Sequence, residues 1–349
     1  MIPVQNIYYM LSYAFQTLQA KGYRSIATED FENTADLFAE IIIRGLSYQI
    51  KRGLGKSYVP KTETISVLRG KLDITESIKT QALVRRQMVC IYDDFSENTY
   101  LNQIIKSSVE LLLKSEISKK REKELRKLML YFQNIDTLDL YHVDWNVQYN
   151  RNNQTYQMLI SICQLLVKGL LQTNADGQTK LMDFLDEQRM CRLYEKFILE
   201  YYRKEFPQLR ASASQIPWAL DNGFHDMLPV MQSDIMLTYK ERVLIIDAKY
   251  YAHTTQIQYD VHTLHSNNLY QIFTYVKNKD MELSSPDHKV SGMLLYAQTD
   301  ELIQPNQSYQ MSGNRIDVRT LDLNADFAVI REQMNGIVEE YFECKQQVV

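Results

Sequence analysis

QSDIMLTYKERVLIIDAKYY, residues 232–251, carries two apolar runs on either side of Lys240 and Glu241. Both runs are rich in β-branched and aliphatic residues. A two-residue turn, or a four-residue loop in the same register, folds them into an antiparallel hairpin. That register pairs residues whose numbers sum to 481, so Asp234 faces Asp247. Opposed side chains hold their Cβ atoms about 5 Å apart, and two carboxylates at that distance repel by about 3 kcal/mol at an effective dielectric of about 20. A sheet gains no stability from this pairing.

A divalent cation between the carboxylates reverses the sign. Mg²⁺ takes hard oxygen ligands and commonly uses one or two carboxylates together with water and substrate phosphate. Lys249, two residues beyond Asp247, falls on the same strand face by the period of two. An ordinary hairpin with solvated ends, Lys249 neutralising Asp247, is the plain alternative. Three coincident features favour chemistry instead: an acid on the preceding strand, an apolar strand leading to D-A-K, and a helix in front. The pattern resembles that of the PD-(D/E)XK nucleases, with Ser233 in place of the usual proline.

That resemblance extends to accessory positions. Glu195 lies on the helix before the hairpin, at the edge of its apolar face, where related nucleases often carry a further acidic ligand. Gln271 and Tyr275 stand one helical turn apart on the following helix, a QxxxY spacing found in some of these nucleases. A helix amide there can hold the metal-site shell or a DNA phosphate.

The 349 residues, 45% hydrophobic, suffice for two domains. The apolar runs are too short for a membrane span, and MIPVQNIYYM has no basic n-region or small-residue cleavage site, so cytoplasmic residence without membrane association is expected. Cys90, Cys163, Cys191 and Cys344 are far apart and lack ligand spacing, which reads as buried free thiols. A formal net charge of -4 excludes a generally basic coat but leaves room for a local positive groove.

Helical spacing predicts helices over the first fourteen residues and over 34–49. SYVPKTETISVLRGKLDI, residues 57–74, reads as short strands or a hairpin projecting from them. Residues 99–133 return to helix. Within them KSEISKKREKELRK, residues 114–127, reads as a solvated face of mixed-sign pairs in preference to a DNA-binding strip, which stands as the alternative. The polar stretch NVQYNRNNQT, residues 146–155, is the expected boundary between domains 1–150 and 151–349. Helices at 155–172 and 183–205, strands at 232–239 and 243–251, a helix at 267–279, a strand at 291–297, a hairpin around 312–314 and a helix at 326–342 complete an α/β (α+β) chain.

Two motifs mislead. GLGKS, residues 53–57, lacks the first glycine of a Walker A loop, since position 50 is Ile50, and it precedes a strand instead of opening a helix. His262 and His265 have no partners at ligand spacing and read as loop residues.

IPVQNIYYMLSYA at the start, RGL at 52–54, RGKLDI at 69–74, NTYLNQIIKS from Asn98, SDIMLTYKERVLIIDAKYY and HSNNLYQIFTYV together resemble the McrC family, over nearly the whole chain. These are the nuclease subunits of the McrBC modification-dependent (5-methylcytosine) restriction system. The resemblance implies an N-terminal, mainly helical partner-binding domain, residues 1–150, with a projecting β element, and a PD-(D/E)XK endonuclease domain, residues 151–349. It implies a McrB-like AAA+ ring that binds and hydrolyses GTP, double-stranded DNA as substrate, and catalytic Asp234, Asp247 and Lys249. Mg²⁺ would be held by Asp234, Asp247 and the Ala248 carbonyl. GTP would not bind to this chain. Two rivals differ in activity: a stand-alone repair or defence nuclease, and a non-cutting adaptor that activates a GTPase.

Overall fold

A computed structural model of the chain describes residues 2–15, 18, 26, 31, 33–150, 153–176, 187–221, 226–251, 256–258, 261–283, 285, 287–301 and 303–343. The chain divides into two compact units, Met1–Glu29 with Leu185–Val349 and, between them, Asp30–Phe184. The division expected at residue 150 is therefore displaced at both ends, for reasons that lie in two helices.

The helix α1 (Val4–Ala14) buries Ile7, Met10, Leu11 and Ala14, as its spacing predicts, but its partners lie in the C-terminal half. Tyr9 stacks on Phe327 at 4.2 Å, and Tyr13 meets Phe197 and Tyr201. Asn6 Nδ2 donates to the carbonyls of Leu323 and Ala325, both at 2.8 Å. Aromatic burial of this kind is worth several kcal/mol (~1.5–3 per side chain) and fixes the helix to that unit.

The inner unit begins with α2 (Thr34–Arg52), capped by Asn33, whose Oδ1 accepts from Asp36 N–H at 2.9 Å. It ends at Gly53, whose φ of +90° only glycine adopts without strain. Next come β1 (Ser57–Ile65), β2 (Lys71–Leu72), α3 (Ile74–Lys79), β3 (Met88–Ser96), α4 (Tyr100–Leu112), α5 (Lys119–Met129) and α6 (Gln157–Asp176). α6 packs on α4 and α2, which is why the unit extends past residue 150. The β element is not a hairpin of β1 with β2. β3 lies between them, antiparallel to both, with Ser57 opposite Ser96 and Ile65 opposite Met88. GLGKS leads from α2 into β1 and opens no helix.

The outer unit resumes with α7 (Glu187–Glu205), β4 (Arg210–Ser212), β5 (Gln215–Ile216), β6 (Met231–Gln232), β7 (Ile235–Tyr239) and β8 (Arg242–Lys249). A small hairpin follows, β9 (Gln256–Gln258) and β10 (Val261–Thr263), then α8 (Ser266–Glu282), β11 (Lys289–Ala297), β12 (Gln307–Met311), β13 (Asn314–Leu321) and α9 (Phe327–Phe342). Six strands form a mixed sheet in the order β12, β13, β11, β8, β7, β4. β8, β11 and β13 run parallel, and the remaining neighbours pair antiparallel. α8 covers one face through Ile272, Tyr275 and Val276, against Met236, Val243, Ile245, Leu294 and Ile316. α7 and α9 contact the sheet as well.

No helix among the described residues is long and apolar enough to cross a membrane. Cys90 and Cys163 are buried free thiols as expected, Cys191 is only partly buried, and Cys344 lies outside the described residues. His262 falls in β10 of the β9–β10 hairpin, and His265 stands at the N-cap position of α8 without a side-chain capping hydrogen bond.

Candidate active site

β7 pairs with β8 so that Ile235 faces Ile246 and Tyr239 faces Arg242, the register read from the sequence. Asp234 stands at the bend one residue before β7, where that register brings it to Asp247. Its Oδ2 accepts a hydrogen bond from the Ala248 N–H at 3.0 Å. Ser233, buried, fixes the approach: its N–H and hydroxyl both donate to the Ser214 carbonyl at 3.0 Å.

The period of two sorts the end of β8. Val243, Ile245, Asp247 and Lys249 share the α8 face, and Ala248 lies on the other. Asp247 is 1% exposed. Lys249 Nζ approaches its Oδ2 to 2.9 Å as an ion pair, yet neither Asp247 oxygen has a hydrogen-bond partner of good geometry. Burial pushes the Asp247 carboxyl up to about 7; Lys249 pulls it back and Asp234 pushes it further. Burial lowers the Lys249 ammonium, but Asp247 beside it more than compensates, and the net shift is upward.

α8 supplies the support of Lys249. Its Nζ donates to Gln271 Oε1 at 3.3 Å, and Gln271 Nε2 donates to the Tyr275 hydroxyl at 3.0 Å. One turn earlier, buried Asn268 donates to the Tyr296 hydroxyl at 3.0 Å and accepts from Tyr251 at 3.4 Å. Tyr296 pairs with Lys249 across the parallel ladder. Asn268 and Tyr296 were not singled out from sequence, although Asn268 precedes Gln271 by three residues on the same helix.

α7 approaches from the opposite face. Cys191 Sγ donates to Glu195 Oε1 at 3.1 Å and lies 4.0 Å from the Ala248 carbonyl oxygen. Burial, then the negative charge of Asp234, raises the Glu195 carboxyl above its ordinary range. Burial, reinforced by Glu195, pushes the Cys191 thiol up to about 12, so it remains a donor at neutral pH. The sequence reads Cys191 only as one of the buried free thiols; its i, i+4 spacing from Glu195 is the available signal.

Asp234, Asp247, Ala248, Lys249, Gln271 and Tyr275 thus converge through direct contacts, and Glu195 lies within electrostatic reach of Asp234. No group of three or more His, Cys, Asp or Glu among the described residues is gathered to hold an ion. The set is instead two carboxylates with a backbone carbonyl nearby. A buried carboxylate with a lysine ammonium on one side and no other well-placed donor is what a hard divalent cation that keeps water and phosphate ligands would complete.

The family model described as McrBC 5-methylcytosine restriction system component matches residues 4–297. Among characterised proteins, the chain is similar to the type IV methyl-directed restriction enzyme EcoKMcrBC of Escherichia coli (strain K12), with 29% identity over 349 residues, 98% of this chain and 99% of that one. Among solved structures, it is similar to a chain in the refined half-complex from a tetradecameric assembly of Thermococcus gammatolerans McrB AAA+ hexamers with bound McrC. There the TM-score is 0.49 at 18% identity, covering 96% of this chain and 76% of that one. A chain of the Thermococcus gammatolerans McrBC complex gives 0.39 at 20% identity, over 58% of each chain.

Proposed function

The chain belongs to the McrBC 5-methylcytosine restriction system component family, and from that membership we propose that it is the Mg²⁺-dependent, DNA-cutting subunit of a restriction complex. On this reading the outer unit has a PD-(D/E)XK core. Its partner is an AAA+ ring of the McrB kind, which recognises modified DNA and consumes GTP while this chain stimulates hydrolysis and cuts. The observation that carries the reading is the buried Asp247 carboxylate beside Asp234, with the Lys249 ammonium at 2.9 Å as the only cation on it and no hydrogen bond of good geometry on either oxygen among the described residues.

Asp234, Asp247 and the Ala248 carbonyl would hold the cation, with Glu195 as a third, outer carboxylate. When bound, the ion supplies charge neutralisation at the scissile phosphate and acidifies water. Lys249 keeps its ammonium protonated at neutral pH, so it acts as a donor to the attacking water or to a phosphate oxygen. Gln271, itself held by Tyr275, fixes the direction of that donor. Cys191 holds the Glu195 carboxylate.

The test mixes the chain with the product of a neighbouring AAA+ gene and assays methylated and unmethylated plasmid with GTP or ATP and Mg²⁺. Cutting only of methylated plasmid, with both partner and GTP present, is expected. Cutting by the chain alone would return it to the stand-alone nuclease class. GTPase stimulation without cutting under any condition would make it an adaptor.

A further inference from the structure

We propose that the outward face of α5 is a track for the phosphate backbone of double-stranded DNA, separate from the catalytic residues. The proposal rests on the reading of this chain as a DNA-acting subunit. From composition alone, KKREKELRKLM is a mixed-sign helix, but the fold sorts the signs. Arg121 and Leu125 are its buried residues. Arg121 turns inward to Asp36 and Glu40 of α2, to the latter at 3.0 Å, and lies 4.7 Å over the Phe31 ring.

At about 100° per residue, Lys119, Lys120, Lys123, Arg126 and Lys127 fall within an arc of roughly 120° opposite that anchor. Glu122 and Glu124 lie just outside the arc on either side, and Glu122 is bound by Arg126 at 2.8 Å. The four lysines are exposed and have no ion pair among the described residues. Just past the helix end, Leu130 and Tyr131 are 62% and 61% exposed.

Helix stability does not explain this placement. Lys119 and Lys120 occupy the first turn, where cations oppose the macrodipole. Lys119, Lys123 and Lys127 repeat at i, i+4, where like charges repel. Their steps of about 6 Å suit a rod that presents one negative charge per about 1.7 Å of axis.

The experiment measures binding of the full chain to a fluorescent duplex without divalent ions, across a salt series. Parent protein is compared with the triple variants Lys119→Gln/Lys123→Gln/Lys127→Gln and Lys119→Arg/Lys123→Arg/Lys127→Arg, each checked for unchanged melting. The glutamine variant should lower the slope of log K against log salt by about 2–3, near 0.9 per lost phosphate contact; the arginine variant should retain it. An unchanged slope, or a parent chain that binds no duplex at low salt, overturns the proposal. So does a loss confined to AAA+ partner binding or to anionic vesicles, which would assign the face to those surfaces. A slope change in a chain that never cuts leaves the track standing and removes the nuclease reading instead.

Discussion

Lys249 Nζ stands between Asp247 Oδ2 at 2.9 Å and Gln271 Oε1 at 3.3 Å, so one ammonium joins the end of β8 to α8. The link makes Asp247 more than an isolated repelled charge. Asp247→Asn removes the metal-binding charge while keeping the shape, and DNA cleavage should fall by at least about 10³-fold, a loss of about 4 kcal/mol in the barrier. Metal-free stability near neutral pH should rise, because the neutral amide avoids the burial cost of the carboxylate and its repulsion from Asp234, less the lost attraction to Lys249. Melting and plasmid assays on the purified variant check both halves. Residual cutting near parent levels would remove Asp247 from the proposed site.

The buried carboxyl also sets a pH dependence. With Asp247 raised to about 7 in the folded chain, from an ordinary value of 3.8, the native state holds a proton that the unfolded state has released. Stability without metal should therefore fall as pH rises from about 4 to about 7, and then level. Glu195, raised in the same direction, adds to the slope. Denaturant midpoints measured in chelator at several pH values should show the decline in the parent and a flatter curve in Asp247→Asn. Mg²⁺ affinity, followed by calorimetry, should increase through the same interval because binding displaces that proton.

Gln271→Leu keeps a side chain of similar size and removes the acceptor for Lys249. Cleavage should drop about 10- to 100-fold, the usual cost of an outer-shell partner, with GTPase stimulation unchanged. Gln271→Glu restores an acceptor and should recover part of the rate. Equal loss in both variants would mean that Gln271 contributes something other than the orientation of Lys249.

At Gly292 on β11 an added Cβ would lie 2.7 Å from Val276 Cγ2 and 2.8 Å from Ile272 Cγ1, closer than side-chain atoms pack. Gly292→Ala should destabilise the outer unit by about 1–3 kcal/mol through overpacking of α8 on the sheet. Its melting temperature, compared with that of the parent, measures the penalty. A neutral result would show that α8 can slide, and with it Gln271.

The β7–β8 register was legible because alternation in the two strands leaves one pairing that buries both apolar faces, and that pairing sets Asp234 against Asp247. Gln271 and Tyr275 were legible from helical spacing. The place of α1 was not: its apolar stripe predicts burial, but nothing local says that Phe197, Tyr201 and Phe327 receive it. β3 was unassigned although VCIY within it is a strong strand signal, and without it the neighbouring 57–74 stretch read as self-paired. The lysine face of α5 was hidden for a related reason. Sequence gives the charges, while the inward turn of Arg121 depends on Asp36 and Glu40, more than eighty residues away.

The β1–β3 ladder also fixes which end of the projecting β element would face an AAA+ ring. Pairing runs from Ser57 with Ser96 to Ile65 with Met88, and β2 turns back beside Cys90 and Ile91, so the end away from α2 is formed by residues 66–68 and 74–87. The Gly55 carbonyl accepts from Asn102 at 2.9 Å and its N–H donates to the Tyr156 hydroxyl at 2.7 Å, so deleting the 55–64 segment would damage the helical core. The far end is built to be seen: Val67, Leu68, Ile78, Leu83 and Val84 are all more than half exposed. Gln81 and Arg86, both at positive φ, bracket Leu83 and Val84 in a turn that costs about 1 kcal/mol or more per residue to hold. Leu83→Ser/Val84→Ser removes apolar surface without touching the ladder. If this end docks on a nucleotide-driven ring, GTPase stimulation and GTP-dependent cutting should fall together by at least about tenfold, while melting stays within a few degrees of the parent and the salt dependence of duplex binding is retained. Full stimulation by the folded double variant at saturating concentration would place the docking surface elsewhere on the chain.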